Sequence, residues 1–186
     1  MKVRVEHGGE CRTYAMLRHV AWHQLDFAKT YEEGSLLQLQ ASAVFCAFAF
    51  EAYLNHVGEE EIAFWDEIER IPYRKKLTVL TKQLEFVMEP GHPPFQTIWE
   101  LFNLRDRLAH GRTIEINEVF ETSVYPSHDS ACYVLPWETL TAAIVQRYYD
   151  DLTAAVEIIN EARPTPDELL WNQGGRSKTV TPIEPK

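Results

Sequence analysis

The stretch "LLQLQASAVFCAFAFEAYLNHV", Leu36 to Val57, limits the choice of architecture more than any other part of the chain. It is apolar on nearly every side, so as a helix it must be covered all round, by lipid or by protein. Its length would span a bilayer, but Gln38, Gln40, Glu51, Asn55 and His56 interrupt it and alanine is frequent. Each charge or amide at the centre of a membrane helix is costly. The expected structure is therefore the central helix of a soluble bundle, without membrane association. Glu51 then becomes a charge in buried surroundings.

A chain of 186 residues, 45% hydrophobic and 25% charged, has the size and composition of one globular domain. Hydrophobic periodicity predicts helices almost throughout. The first lies in "GECRTYAMLRHVAWHQLDFAKTYEEG", ending at Gly34, with Ser35 as the N-cap of the central helix. A short helix is expected in "EEEIAFWDEIERI", and another, opened by Pro72, in "PYRKKLTVLTKQLEFV". After the loop "EPGHPP" a helix runs from about Phe95 to His110, and a long final one occupies "PWETLTAAIVQRYYDDLTAAVEIINEA". Alternating residues in "TIEINEVFE" and "ACYVLP" predict a small β-hairpin inserted around 113–136. The fold class is mainly all-α, a helical bundle over residues 1–162. Residues 163–186, rich in Pro, Gly and Ser, read as a largely disordered tail, ordered at most around Leu169 to Trp171.

The helix "FQTIWELFNLRDRLAH" carries the strongest chemical signal. At about 100° per residue, Phe95, Ile98, Leu101, Phe102, Leu104, Leu108 and Ala109 form one apolar face. Arg105 lies along the middle of it, while Gln96, Glu100, Asn103 and Arg107 occupy the opposite side. A guanidinium on a buried face must be paired or used. Glu51 is the natural counter-charge for a supporting ion pair with Arg105. On that reading alone, Arg105 is a core arginine neutralised by Glu51 and His110 an ordinary helix-terminal histidine.

"LRDRLAHG", Leu104 to Gly111, closes this helix with Arg-Asp-x-x-x-His. It resembles the HEPN superfamily, whose members carry an arginine, a polar residue and, a few positions on, a histidine. The upstream helix with an acidic residue, "FEAYLNHV", and the helical surroundings extend the resemblance to about Gly9–Ala162 in element order. It implies a HEPN-type bundle and a metal-independent endoribonuclease of bacterial type, a toxin or defence effector, or else a catalytically inactive module that binds nucleotide, RNA or a partner protein. Cleavage through the RNA 2′-OH needs a proton acceptor, a proton donor and a cation for the phosphorane charge. His110 supplies the acid/base, Arg105 the fork for phosphate oxygens, and Asp106, one turn before His110, can orient the imidazole. No cofactor and no metal are expected.

On an ideal helix Arg105 and His110 stand about 140° apart. They can converge if two motif helices meet in a homodimer, as members of the superfamily commonly arrange. Arg105, Arg107 and Arg112 from two chains would then form a local basic patch, with Arg107 and Arg112 in substrate-binding roles. The expected partners are RNA, a second copy of the chain and an antitoxin protein. HEPN toxins of one class carry a tyrosine soon after the histidine, whereas Gly111, Arg112 and Thr113 follow here, which disfavours regulation by modification of that tyrosine.

The remaining features favour plainer readings. A net charge of −10 disfavours a protein whose whole surface tracks nucleic acid. Cys11, Cys46 and Cys132 form no CxxC pair and read as reduced thiols in a cytoplasmic protein, and "MKVRVEHGGE" has no apolar core of a signal peptide. His19 and His23 share a helix face at i and i+4 but lack a clear third ligand. Trp22, Phe45, Phe48, Phe50, Trp65, Trp99 and Trp137 read as core aromatics.

Overall fold

The computed structural model describes residues 2–113, 115 and 137–183. Among them the element order is β1 (Lys2–Gly9), α1 (Thr13–Thr30), α2 (Ser35–Glu61), α3 (Trp65–Ile68), α4 (Tyr73–Leu84), α5 (Phe95–Ala109), α6 (Ala142–Glu161) and β2 (Arg176–Ile183). The protein is mainly α-helical with one small two-stranded antiparallel sheet. The hairpin expected at 113–136 falls, apart from Thr113 and Glu115, outside the described residues, as does Cys132.

Where the sequence predicts one helical domain over 1–162, backbone packing divides the chain into two compact units. One comprises Met1–Val20, Phe48–Val87 and Val156–Lys186, the other Ala21–Ala47 and Met88–Ala155. Helices α1, α2 and α6 each contribute residues to both.

The central helix is longer than its apolar run, and Glu59 to Glu61, expected to open the next helix, form its last turn. By length and composition α2 could cross a membrane. Its Ala43, Cys46, Ala47, Phe50, Tyr53, Leu54 and Val57 are nevertheless buried within the protein. Gly58 lets the indole of Trp65 lie flat on α2, since a Cβ there would sit 2.2 Å from a ring carbon. Tyr73, Lys76, Leu77 and Leu80 form the buried face of α4. That helix stops at Leu84, because Glu85 takes a left-handed conformation (φ 55°), so Phe86 and Val87 lie beyond it.

In the second unit, the Ser42 hydroxyl donates to the Ala21 carbonyl at 2.8 Å, joining α1 to α2 through a buried polar contact. Phe95, Ile98, Leu101, Phe102 and Leu104 of α5 are buried, as the periodicity requires. Leu108 is only partly covered and Ala109 is exposed, so the apolar face ends one turn early.

The first unit gives structure to the segment expected as a tail. Arg163, just past α6, has a side chain 7% exposed; its Nε donates to Glu61 at 2.9 Å and its Nη2 to Glu60. Asp167 exchanges hydrogen bonds with Asn160, accepts from Arg12 Nη1, and receives the Leu169 N–H at 2.8 Å. Leu170 is buried. Glu10 and Arg12 then donate their backbone N–H groups to Gly175 and Gln173. From there β2 runs antiparallel to β1, with Val5 opposite Val180. Gly174 (φ 87°) permits this approach, for a Cβ on it would stand 2.2 Å from the Glu10 carbonyl oxygen. The pairing was invisible to periodicity because its strands lie at opposite ends of the sequence.

Replacing Gly58 by Ala should force the Trp65 indole off α2. Overpacking of this kind costs about 1–3 kcal/mol, read as a lower urea midpoint with an unchanged slope. Gly34→Ala makes an informative comparison: it is limited by backbone strain alone, since nothing lies within 4 Å of a Cβ there.

Candidate functional site

The motif arises at the point where α5 runs out of buried face. His110 is the C-cap, with φ −115° and ψ 17°, and its backbone N–H donates to the Asp106 carbonyl at 2.9 Å. Gly111 follows, where an added Cβ would lie 3.0 Å from the Arg107 carbonyl oxygen, so the chain leaves the helix close beneath its last turn. His110 is exposed, and so are Arg107 and Arg112.

Arg105 is largely covered: its side chain is 20% exposed, and its guanidinium carbon lies 5.0 Å from the centre of the Phe102 ring. Its Nη1 is 3.0 Å from Asp106 Oδ1. Asp106 thus holds the arginine with its carboxylate and meets His110 through its backbone carbonyl. Among the described residues no contact joins the Asp106 carboxylate to the imidazole, so the expected orienting role differs from the geometry. Adjacent positions on a helix bring an aspartate onto an arginine when the latter curls along the axis, and a partly covered guanidinium gains more from that pair than an exposed ring would.

Glu51 in the first unit accepts from Lys76 Nζ at 3.4 Å, and the same ammonium donates to Asn55 Oδ1 at 2.8 Å. Lys76 is 3% exposed, a buried cation that the sequence reading did not single out. The signal was present in spacing, since Lys76 lies three residues after Tyr73 and four before Leu80 on the apolar face of α4. Glu51 and Asn55 are one turn apart on α2 and present an anion and a carbonyl to one ammonium, which offsets its desolvation.

On the other side of α5, Asn103, Leu104 and Arg107 line a cavity of about 250 Å³ together with Leu140, Ile144 and Tyr148. The Glu100 carboxylate at its edge accepts from Arg147 Nη2 at 2.7 Å. Burial, then the nearby Glu100 charge, raises the Tyr148 phenol above its ordinary range, so it stays a neutral hydrogen-bonding group. Arg107 and Glu100 therefore place one positive and one negative group in a recess otherwise walled by apolar and neutral polar side chains. Asn103 and Tyr148 were not picked out from sequence, where one is an exposed amide and the other a periodic aromatic.

Of the other candidates, His19 and His23 are both exposed, and among the described residues no group of three potential metal-ligating side chains converges. Cys11 is exposed and Cys46 buried, and neither forms a disulfide among the described residues. No family model matches the chain, and neither a curated protein nor a solved structure matches it.

Lys76→Met should leave Glu51 without the ammonium that faces it. Breaking a buried ion pair costs about 3–5 kcal/mol, and the lower end applies because Glu51 is 30% exposed. Chemical denaturation of Lys76→Met alongside the double variant with Glu51→Gln checks this: the second change should recover part of the loss.

Proposed function

We propose that the chain is a HEPN-type, metal-independent endoribonuclease that works as a homodimer. The observation that carries this reading is the end of α5, where a half-covered arginine and an exposed histidine stand five residues apart on an acidic protein. Arg105 is fixed by Asp106 and the Phe102 ring, which limits the rotamer freedom it would lose on gripping a phosphate. His110 lies past the last helical turn, accessible to substrate.

In the proposed reaction the 2′-oxygen attacks phosphorus and gives its proton to an imidazole. The P–O5′ bond breaks, and the departing oxygen takes a proton from a second imidazole, leaving a 2′,3′-cyclic phosphate. Two His110 residues in a dimer supply the base and the acid. Arg105 neutralises the phosphorane oxygens, and Arg107 and Arg112 hold flanking phosphates. The cavity lined by Arg107 also presents Asn103, Tyr148 and the apolar Leu104, Leu140 and Ile144 beside the Glu100 carboxylate, a mixed lining that could take a nucleobase. Isologous pairing through α5 gathers these arginines from two chains, a local cationic patch on a protein of net charge −10.

A second reading is a non-catalytic module that binds nucleotide, RNA or a partner protein. The observation favouring it is that the Asp106 carboxylate engages Arg105, and among the described residues no side chain orients the His110 imidazole.

Purified protein should cut single-stranded RNA in EDTA and leave cyclic phosphate ends, with DNA inert for want of a 2′-OH. His110→Ala should lower the rate by about 10²–10⁴-fold, the usual contribution of an acid/base group. Arg105→Lys should also fail, because an ammonium lacks the planar fork. Activity should fall with added salt. Binding of RNA without any cleavage would select the module, and cleavage that survives in His110→Ala would reject the assignment. Light scattering should give a dimer at micromolar concentration; a monomer that still cleaves would remove the shared-site arrangement.

A further inference from the structure

The sheet of the first unit has one open edge. Among the described residues β1 and β2 pair with each other and no third strand joins them. Two strands alone are marginal in water, and each shows a row of unpaired backbone groups along its outer side. The ladder tells which groups those are. Just past β1, the Glu10 N–H donates to the Gly175 carbonyl at 3.0 Å and the Arg12 N–H to the Gln173 carbonyl at 3.1 Å. The same register continues without a bulge from Gly9 opposite Arg176 to Lys2 opposite Ile183. Hydrogen-bonded positions alternate in an antiparallel ladder, so Arg4, Glu6 and Gly8 turn their backbone groups toward β2. Val3, Val5 and His7 turn theirs outward. On β2 the outward positions are the residues opposite these, Pro182, Val180 and Lys178. Proline has no N–H to offer, so β2 is the protected edge; β1 has no proline and is the open one.

We propose that β1 pairs antiparallel with β1 of a second copy of the chain, making a continuous four-stranded sheet with the two β2 strands outermost. Charge selects this occupant and fixes its register. With the two-fold axis at Val5, the outward-facing Val5 residues of the two copies meet, and each Val3 meets the other copy's His7. Arg4 of each copy then stands opposite Glu6 of the other. These are the close, non-hydrogen-bonded positions, where opposite charges across strands attract. Moving the axis by one residue would set Arg4 against Arg4 or Glu6 against Glu6. Both side chains are exposed, and within one chain Arg4 Nη2 lies 2.7 Å from Glu6 Oε1, so the pair is free to exchange across the axis.

The apolar face fits the same register. Val3 and Val5 share one side of β1, and Val180 lies across from Val5 on β2. They are 45%, 42% and 51% exposed, respectively. In the paired sheet Val180, Val5, Val5 and Val180 form one row across four strands, and β-branched neighbours replace water around the central two. The contact uses residues of the first unit only. It is therefore distinct from the dimer proposed through α5, which belongs to the second.

Sedimentation velocity of the full chain over a range of micromolar concentrations tests this. Arg4→Glu and Glu6→Arg each place like charges at both symmetry-related positions and should weaken self-association about tenfold or more. In an equimolar mixture of the two variants every acid faces a base, so association should recover as a mixed species. The ion pair within each chain stays broken in the mixture, and recovery therefore reports the contact between chains alone. As a check of register, Val5→Cys in a Cys11→Ser background should crosslink to itself on mild oxidation. Two residues opposite each other at a hydrogen-bonded position lie about 5.5 Å apart, within disulfide reach. Val3→Cys, opposite His7, should not crosslink. Identical sedimentation of wild type and both variants, or no recovery on mixing, would overturn the proposal. So would equal crosslinking at both positions, the sign of chance collision. A chain that is monomeric throughout would also overturn it, leaving the edge to a strand of another protein. None of these substitutions touches α5, so RNA cleavage by Glu6→Arg reports on the nuclease assignment separately.

Discussion

Two buried cations determine how the first unit is assembled. Lys76 and Arg163 would each be untenable in an apolar interior without counter-charges at fixed positions. Both find them on α2: Glu51 and Asn55 for the ammonium, Glu60 and Glu61 for the guanidinium. The helix therefore does two jobs. Its apolar sides supply the core, and polar residues along its second half receive α4 and the segment after α6. This explains why an otherwise membrane-like helix keeps Glu51, Asn55 and the acidic triplet at its end. The polar interruptions are the attachment points of neighbouring chain segments.

That arrangement also accounts for what could be read in advance. α2, α5 and α6 were legible because burial of a helix face is a local, periodic constraint. Pro72 and the His110–Gly111 pair marked ends through backbone chemistry that is equally local. Lys75 and Lys76 look alike in composition, and only their angular positions separate the exposed one from the buried one. Arg163 opened a Pro-rich stretch and so read as tail, yet its partners lie about a hundred residues earlier. The β1–β2 pairing fails to announce itself for the same reason. Val3 and Val5 alternate with charges, but a strand needs a partner, and here that partner comes from the far end of the sequence.

The motif was legible in the sequence, although its geometry was only half anticipated. The resemblance of "LRDRLAHG" to the HEPN motif marked Arg105, Asp106 and His110 as a group. They could not show which of the two basic residues the Asp106 carboxylate would take. The helix settles that choice through accessibility. Arg105 is held against Phe102 and can reach Asp106 along the axis, whereas His110 has already left the helix and points to solvent. In the proposed site the exposed imidazole takes its orientation from the substrate or from a second chain. For that reason dimerisation and catalysis are linked in the proposed mechanism rather than being separate features.

Net charge is a poor guide to the field at any one site. At physiological ionic strength, charges farther apart than about 8 Å are largely screened, so a bound group responds to its immediate walls. Around the end of α5 the nearby charges are Arg105, Arg107 and Arg112 against Asp106, a local excess of positive charge despite the overall −10. At the end of α2 the balance is reversed, with Glu59, Glu60 and Glu61 at a helix terminus that is itself negative. Placing surplus acid there has a structural origin, because Arg163 needs two carboxylates in fixed positions and the helix end supplies them. The third, Glu59, is exposed and makes no such contribution to the fold.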